Sequence, residues 1–415
     1  MSADAVRYDV VIAGGGMVGA SLALALSRYS EGRLSVLLVE SFPLPAADSA
    51  PVYRPSFDAR STALSYGSRQ ILCSVGAWDA LQAHLTAITR IHVSDRGHIG
   101  SALLTAQEQG WDALGYVVEN AWLGNVLLNA LHSAPGVECA SPASVTGVNR
   151  HNDLASLQLQ YRDGEAQTVE CRLLAVADGA QSGLRSALGI AGKTVDYGQQ
   201  ALIANVCFEK PHGGIAYERF TDQGPLALLP LSNSERNEPR AALVWTLSQE
   251  DATTLLAASD EVFLARLQKR FGYRQGRLLR VGERGCFPLQ LVEAEEQVQP
   301  NTVVMGNAAH SLHPVAGQGF NLALRDVARL ARLLADLPEA ELGTLSHLQT
   351  YLDKQHSDQR RTVEFSHQLP GLFARKSPFF SLGRNLGLLA LDVLPAAKAR
   401  FVEQAAGLAP GNARG

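Results

Sequence analysis

Apolar and polar positions alternate along the chain in patterns that change period several times. Val10 to Ala13 form a short apolar run ending in glycines. Met17 to Arg28 then repeat at helical spacing, and Leu34 to Glu40 form a second apolar run. This predicts strand, Gly-rich turn, helix and strand, a compact βαβ start. Prolines at 43, 45, 51 and 55 follow, where a missing N–H blocks regular pairing and predicts a loop. Leu123 to Leu131 predicts a helix. Leu157, Leu159 and Tyr161 alternate as a half-buried strand, with Asp163-Gly164 supplying hairpin chemistry before the next one. Between about 200 and 290 the runs LIANVCF, LALLPL and AALVWTL are punctuated by polar turns such as SNSERNEPR. They predict an antiparallel sheet set between parts of an α/β domain. Later Val303 to Met305 reads as a strand, and Leu322, Leu324, Val327, Leu330, Leu333 and Leu334 recur as a helix. Between them lies a Gly/His/Pro-rich loop with Gly317, Gly319 and Asn321 at the helix mouth. A mostly helical tail follows, and no internal repeat or low-complexity segment interrupts the order.

Composition narrows the class. The chain has 415 residues, which suits two closely joined domains, and 46% of them are hydrophobic, enough for a large core. A net charge of −4 gives no electrostatic case for a nucleic-acid partner. The five cysteines, Cys73, Cys139, Cys171, Cys207 and Cys286, form no CxxC pair and read as reduced, cytosolic thiols. The N-terminus MSADAVRYDVVIAGGG is not a signal peptide. No stretch reaches the roughly 18 apolar residues of a membrane span. These features predict a cytoplasmic protein that at most sits on a membrane surface.

Three segments carry chemistry. In GGGMVG, Gly14, Gly16 and Gly19 follow a predicted strand and open a predicted helix. The first permits a tight turn, the second lets a pyrophosphate approach the backbone, and the third lets helix and strand pack closely. The helix N-terminus offers unpaired N–H groups to phosphate. Glu40 closes the second strand 21 residues after Gly19, where an acid binds a ribose hydroxyl and favours FAD or NAD over NADP. The alternative is a plain Gly-rich turn beside a surface glutamate. The second segment, ADGAQSGLR, holds Asp178, Gly179, Ser182 and Arg185 after the apolar run Leu173 to Ala177. Alone it reads equally as a turn. The third, GNAAHSLHPVAGQGFNLALRD, spans Gly306 to Asp326. His310 and His313 lie three apart, but no third ligand sits at matching spacing and Pro314 interrupts any helix, so no metal site is expected.

Taken in order, these segments resemble the single-component flavin aromatic hydroxylases over roughly residues 8 to 335. The resemblance implies an α/β fold: a Rossmann-like FAD-binding domain with an inserted antiparallel-sheet substrate domain and a helical C-terminal tail. Residues 1–90, 115–190 and 284–345 would form the FAD-binding domain, 91–114 and 191–283 the substrate domain, and 346–415 the C-terminal helical segment. One FAD would bind through all three segments. Gly14, Gly16, Gly19 and Glu40 would hold the ADP half, with Arg60 of FDARSTAL nearby. Asp178, Gly179 and Arg185 would lie near the pyrophosphate and the nicotinamide route. Gly306 and Asn307 would touch the ribityl chain. Pro314 to Asn321, with Gly317, Gln318 and Gly319, would border the isoalloxazine ring, the helix mouth facing its N1–C2 carbonyl edge. Two residues depart from the pattern: Asn307 stands where the family has Asp, and Ala323 where the ubiquinone branch has Gly.

HPVAGQGFNLALRD is similar to the signature of ubiquinone-biosynthesis hydroxylases. IHVSDRGHIGS and ERFTDQGPLALLPL resemble the UbiH-like branch, that of octaprenyl-methoxyphenol hydroxylase. The implied reaction hydroxylates a polyprenylated phenol para to its hydroxyl through a flavin C4a-hydroperoxide, with NAD(P)H as the family's reductant and O2 as co-substrate. Tyr217 and Arg219 are candidates to orient the phenol, as are Asp95, Arg96 and His98; each has ordinary surface packing as its alternative. No catalytic base stands out. Three other readings remain: a sister ubiquinone hydroxylase acting at another ring carbon, a flavin-dependent reductase of polyprenyl chains, and a non-catalytic FAD-binding assembly subunit. In the tail, Ser377-Pro378 starts a helix whose Phe379, Leu382, Leu386, Leu389 and Val393 form an apolar stripe flanked by Arg375, Lys376, Arg384 and Lys398. The stripe would pack on the FAD domain, or dock on the inner-membrane surface or on other ubiquinone-biosynthesis proteins.

Overall fold

The computed structural model describes residues 6–45, 60–95, 101–151, 153–312 and 318–374, with 398–399, 402–403 and 406–407 near the end. The predicted opening is present: strand β1 (Val6–Ala13), helix α1 (Met17–Tyr29) and strand β2 (Val36–Val39). Next come β3 (Ser61–Ser65), α2 (Tyr66–Ser74), α3 (Trp78–Gln82), β4 (Thr86–Ile88), β5 (Arg90–Asp95), β6 (Ser101–Thr105) and β7 (Gly115–Glu119). Helix α4 (Asn120–Leu131) leads to β8 (Val137–Ala140), β9 (Ala143–His151), β10 (Leu154–Tyr161) and β11 (Ala166–Val176), then short α5 (Gly183–Ala187). The inserted region runs β12 (Gly192–Phe208), β13 (Ile215–Thr221), β14 (Gly224–Leu231), β15 (Arg240–Ser248), α6 (Gln249–Ala257), α7 (Asp260–Phe271), β16 (Leu278–Val281) and β17 (Gly285–Ala294). The chain then returns through β18 (Val298–Gln299), β19 (Thr302–Val304), β20 (His310–Ser311), α8 (Gln318–Asp336) and α9 (Leu345–Ala374).

Among the described residues the strands form three sheets. The first runs β18-β19-β11-β1-β2-β8, with β10 and β9 hung from β11. Strands β19, β11, β1, β2 and β8 are parallel. β1 is covered on both faces, so its residues need no polar side. Val10 and Ile12 enter a core with α1, α4 and α8, while Val11 and Ala13 enter a second core with β10 and β11. Helix α1 is buried without a break from Gly19 to Ser27, as expected of a helix surrounded by protein; it packs between α4 and α8.

The second sheet runs β20-β17-β12-β15-β14-β13-β5-β6, with β16 on β12. It continues through β17, past the boundary expected at residue 283. One face carries a core with α6 and α7, in which Trp245, Phe208, Phe263 and Phe271 are buried. The third sheet, β3-β7-β4, lies between the other two. Ile88 and Val117 from it pack against Ala216, Leu231 and Ala242 of the second. Arg240 of β15 and Glu119 of β7 form an ion pair across the same boundary, 3.1 Å apart and almost wholly buried.

The tail helix expected from Ser377 lies outside the described residues, as do Arg96, His98, Pro314 and Gly317. Among the described residues no helix is long and apolar enough to cross a membrane.

Candidate flavin and substrate site

All three sequence segments leave the carboxyl ends of adjacent parallel strands. Ala13 of β1 pairs in register with Val176 of β11, and Val176 with Val304 of β19. Gly14, Ala177 and Met305 therefore continue the chain at one level, the crevice where open α/β sheets bind ligands.

The glycines divide by what a side chain would meet. Gly14 has φ +107°, and a Cβ there would lie 2.6 Å from the Ala177 carbonyl oxygen, so the first and second segments touch through it. At Gly19 a Cβ would lie 1.9 Å from the Gly14 carbonyl oxygen, which fixes the helix against its turn. At Gly306 it would meet Val18 at 3.0 Å, bringing the third segment onto the first turn of α1. By contrast, a Cβ at Gly16, Gly179 or Gly319 would meet nothing within 4 Å. Gly16 opens α1, where no side chain caps the helix, and Gly319 lies in the first turn of α8. Bare N–H groups beside a cradle that a side chain at Gly16 would enter fit a diphosphate.

Glu40 directly follows β2. Its Oε2 accepts from the Gly15 N–H at 2.6 Å, and its Oε1 from the Phe42 N–H at 2.9 Å and the Ser41 hydroxyl at 3.1 Å. Gly15, not singled out by the motif, thus carries the bond that ties the acid to the loop. Asp178 Oδ2 accepts from the Leu184 N–H at 3.3 Å in the first turn of α5, whose cap is Ser182, accepting from the Arg185 N–H at 2.9 Å. Arg185 is buried, and its guanidinium donates to the Ala308 carbonyl at 2.7 Å. It braces the tight 3-10 turn Gly306–Ala308, leaving Asn307 exposed in the crevice. Arg60 sits at the entrance to β3, its guanidinium 5.3 Å from the Phe287 ring centroid on the second sheet.

At the helix mouth, Gln318 opens α8 and is buried. Asn321 is 1% exposed and its amide is fully engaged. Its Oδ1 accepts from the Ser65 N–H at 2.9 Å and the Ser68 hydroxyl at 2.7 Å, and its Nδ2 donates to the Ala63 carbonyl at 2.8 Å. The side chain pins β3 and α2 onto α8, so any contact with a ring at the helix mouth would come from backbone. Behind it His310 Nε2 lies 3.3 Å from Asp326 Oδ2, and Gln355 and Gln359 of α9 donate to the same carboxylate. The histidine lies buried beside the carboxylate through which α9 is bonded to α8.

On the second sheet, Tyr217 and Arg219 face away from this crevice. Tyr217 belongs to the core with α6 and α7, and its hydroxyl accepts from Gln275 Nε2 at 2.5 Å. Arg219 donates to the Phe271 carbonyl at 2.6 Å. Their expected role beside a phenol is therefore corrected: side chains alternate across a strand, and these two lie on the helix-covered face. The opposite face meets the third sheet through Ala216 and Ala242. Its central row, Val93, Glu218, Ala227, Val244 and Ile203, is only partly buried. The result is an apolar wall that still has open surface. Asp95 lies on this wall, paired in register with Phe220, and is 7% exposed.

A profile of the FAD binding domain family matches residues 7–366. "Ubiquinone hydroxylase UbiL" of Rhodospirillum rubrum is 35% identical over 98% of this chain and 91% of its own length. The "3-demethoxyubiquinol 3-hydroxylase" of Escherichia coli is 32% identical over 96% and 98% of the two chains. Among solved structures, p-nitrophenol 4-monooxygenase PnpA from Pseudomonas putida superposes with a TM-score of 0.75 at 16% identity, covering 97% of this chain and 99% of that one. That likeness is one of fold.

Proposed function

The chain belongs to the FAD binding domain family and is a flavoprotein monooxygenase; from that premise we propose that it hydroxylates a polyprenylated phenol of ubiquinone biosynthesis, para to the phenol hydroxyl. Hydroxylases of ubiquinone synthesis at 32% and 35% identity over nearly the whole chain support the pathway. The apolar, partly open wall of the second sheet, packed beside the third sheet that Asn321 ties to α8, supports a large apolar substrate and is the observation that carries the reading. The ring position rests on the IHVSDRGHIGS and ERFTDQGPLALLPL stretches.

The residues fit FAD. The Gly14–Gly19 loop would take the pyrophosphate, with Asp178 and Gly179 beside it. Glu40 retains lone pairs for ribose hydroxyls beyond those given to Gly15 and Phe42. Gly306 and exposed Asn307, the latter in place of an acid, would meet the ribityl chain; Asn can donate and accept there without charge. The segment from Pro314 to Asn321 would border the ring, with Gly319 leaving room for it. When bound, the flavin supplies the activation of O2 after reduction, with NAD(P)H as reductant. The protein's share is position and dryness: the Asn321 staple holds the helix mouth, and the apolar wall excludes water from the oxidising centre. Residues 91–114 and 191–294 would form the substrate domain, and the rest of the described chain up to 345 the FAD-binding domain.

The test supplies the purified yellow protein with NAD(P)H, O2 and an ortho-geranyl phenol. Mass spectrometry should find a product heavier by one oxygen, and NMR should place the new hydroxyl para to the first. Reduced prenyl double bonds would instead support a reductase, and flavin binding without turnover an assembly subunit.

A further inference from the structure

Glu218 lies on β13 between the two residues that face the helices, so strand alternation turns it to the apolar wall. It pairs in register with Val93 on one side and Ala227 on the other, and the row continues through Val244 and Ile203. It is the ionisable group in an otherwise aliphatic row. Its carboxylate has no hydrogen-bond or ion-pair partner among the described residues. The wall's neighbouring row, through Ala216, packs with Val117 and Ala63, and the Ala63 carbonyl bonds Asn321 in the first turn of α8. Glu218 thus stands on the same face as Ala216, whose neighbour Ala63 is bonded to the helix mouth.

Unpaired carboxylates in apolar walls are costly, and stability alone does not explain one here. Although the side chain keeps some open surface, its aliphatic surroundings desolvate the carboxyl and push it up to about 7. The other charged groups nearby do not answer it. Asp95 shares its face; Arg219, His92 and Arg274 belong to the opposite face, where Arg274 meets His92. On α9, which also packs against β13, Arg360 and Glu364 bond each other.

We propose that Glu218 is a catalytic residue that accepts the hydrogen bond of the substrate's phenol hydroxyl and takes its proton during hydroxylation. The proposal rests on the hydroxylase reading above. The phenol O–H bond breaks, a carboxyl O–H bond forms, and the freed electron pair moves into the ring, enriching the para carbon that receives oxygen from the reduced flavin and O2. When that carbon loses its hydrogen to water and the ring regains aromaticity, Glu218 returns the proton to the original oxygen. A carboxyl raised towards neutrality is a stronger base towards a phenol than an ordinary glutamate, yet remains ionised in half or more of the molecules at pH 7 and above.

The experiment measures binding of ortho-geranyl phenol to the flavin-loaded protein by quenching of tryptophan fluorescence from pH 5.5 to 8.5, alongside turnover. Ionised Glu218 accepts the phenol bond more strongly than the neutral acid, so affinity should rise with pH through a step near 7. In Glu218→Gln the step should vanish, binding at pH 8 should weaken roughly 10-fold, and hydroxylation should fall by about 100-fold or more while flavin content is kept. Glu218→Asp should retain the step, shifted in pH, with part of the turnover. A second readout follows from linkage. The native pKa is raised above the unfolded one, so the native state loses stability as pH rises from about 4.5 through 7; Glu218→Gln should remove that slope from the melting temperature. If the binding step persists in Glu218→Gln, or hydroxylation there matches wild type, the proposal is overturned. A wild-type protein that binds no phenol at any pH overturns the hydroxylase reading itself, and this proposal with it.

Discussion

A methyl group at Gly19 would sit 1.9 Å from a backbone oxygen, while one at Gly16 would meet nothing within 4 Å. Two glycines of one motif therefore fail in different ways when substituted. Gly19→Ala should destabilise the protein by at least about 2 kcal/mol, because the turn and the helix cannot both keep their places. Gly16→Val should melt within about 1 kcal/mol of wild type yet purify colourless, its side chain filling the cradle meant for phosphate. A Gly16→Val protein with full flavin absorbance would remove the loop from the site. At this scale the motifs were legible because glycine spacing reports backbone geometry directly. The substrate wall was not. Residues of β13 are buried or half-buried on both faces, so period-2 alternation leaves open which set looks inward, and a shift of one residue exchanges them. That is why Tyr217 and Arg219 drew attention and Glu218 between them did not.

Among elements, the strands of the inserted region were legible from their aliphatic runs, but α6 and α7 were not anticipated. Their signal was present. Ser248 and Ser259 each accept a hydrogen bond from the N–H three residues on, and acids fill both first turns. The helices read weakly because they follow long apolar strands and bury narrow stripes: Ala252 and Leu255 in one, Phe263, Leu267 and Phe271 in the other. The joint between the second and third sheets was also invisible in sequence, since Glu119 and Arg240 lie 121 residues apart. Both are nearly fully buried, and Arg240 Nε donates further to the Ser232 carbonyl at 3.1 Å. Removing one charge leaves the other stranded. Arg240→Met alone should cost about 3–5 kcal/mol in chemical denaturation, and adding Glu119→Leu should recover most of it. If the double variant is no more stable than the single one, the two charges do not act as a pair, and the surrounding backbone bonds hold the sheets together.

For the whole molecule, the end of the chain matters most. The sequence offered an apolar, basic-flanked stripe from Phe379 to Val393 that either packs on the body or docks elsewhere. That stripe lies outside the described residues, and described positions beyond it contact the body. Lys398 Nζ is 2.9 Å from Glu108, Val402 is buried with Leu104 and Leu114, and the Ala406 carbonyl accepts from the Gly67 N–H at 2.9 Å. A deletion from 376 onwards would uncover Leu104 and Leu114 and break the hold on α2, so it would confuse anchoring with stability. Point changes in the full chain separate them. Phe379→Ser, Leu382→Ser, Leu386→Ser and Leu389→Ser combined should leave flavin content and turnover of ortho-geranyl phenol within about twofold of wild type if the stripe serves docking. The same variant should lose sedimentation with anionic phospholipid vesicles, because membrane affinity scales with the apolar area inserted plus attraction of flanking lysine and arginine to the surface. Should it instead lose flavin or melt several degrees lower, the stripe belongs to the core, and the lipid-borne substrate must reach the apolar wall by another route.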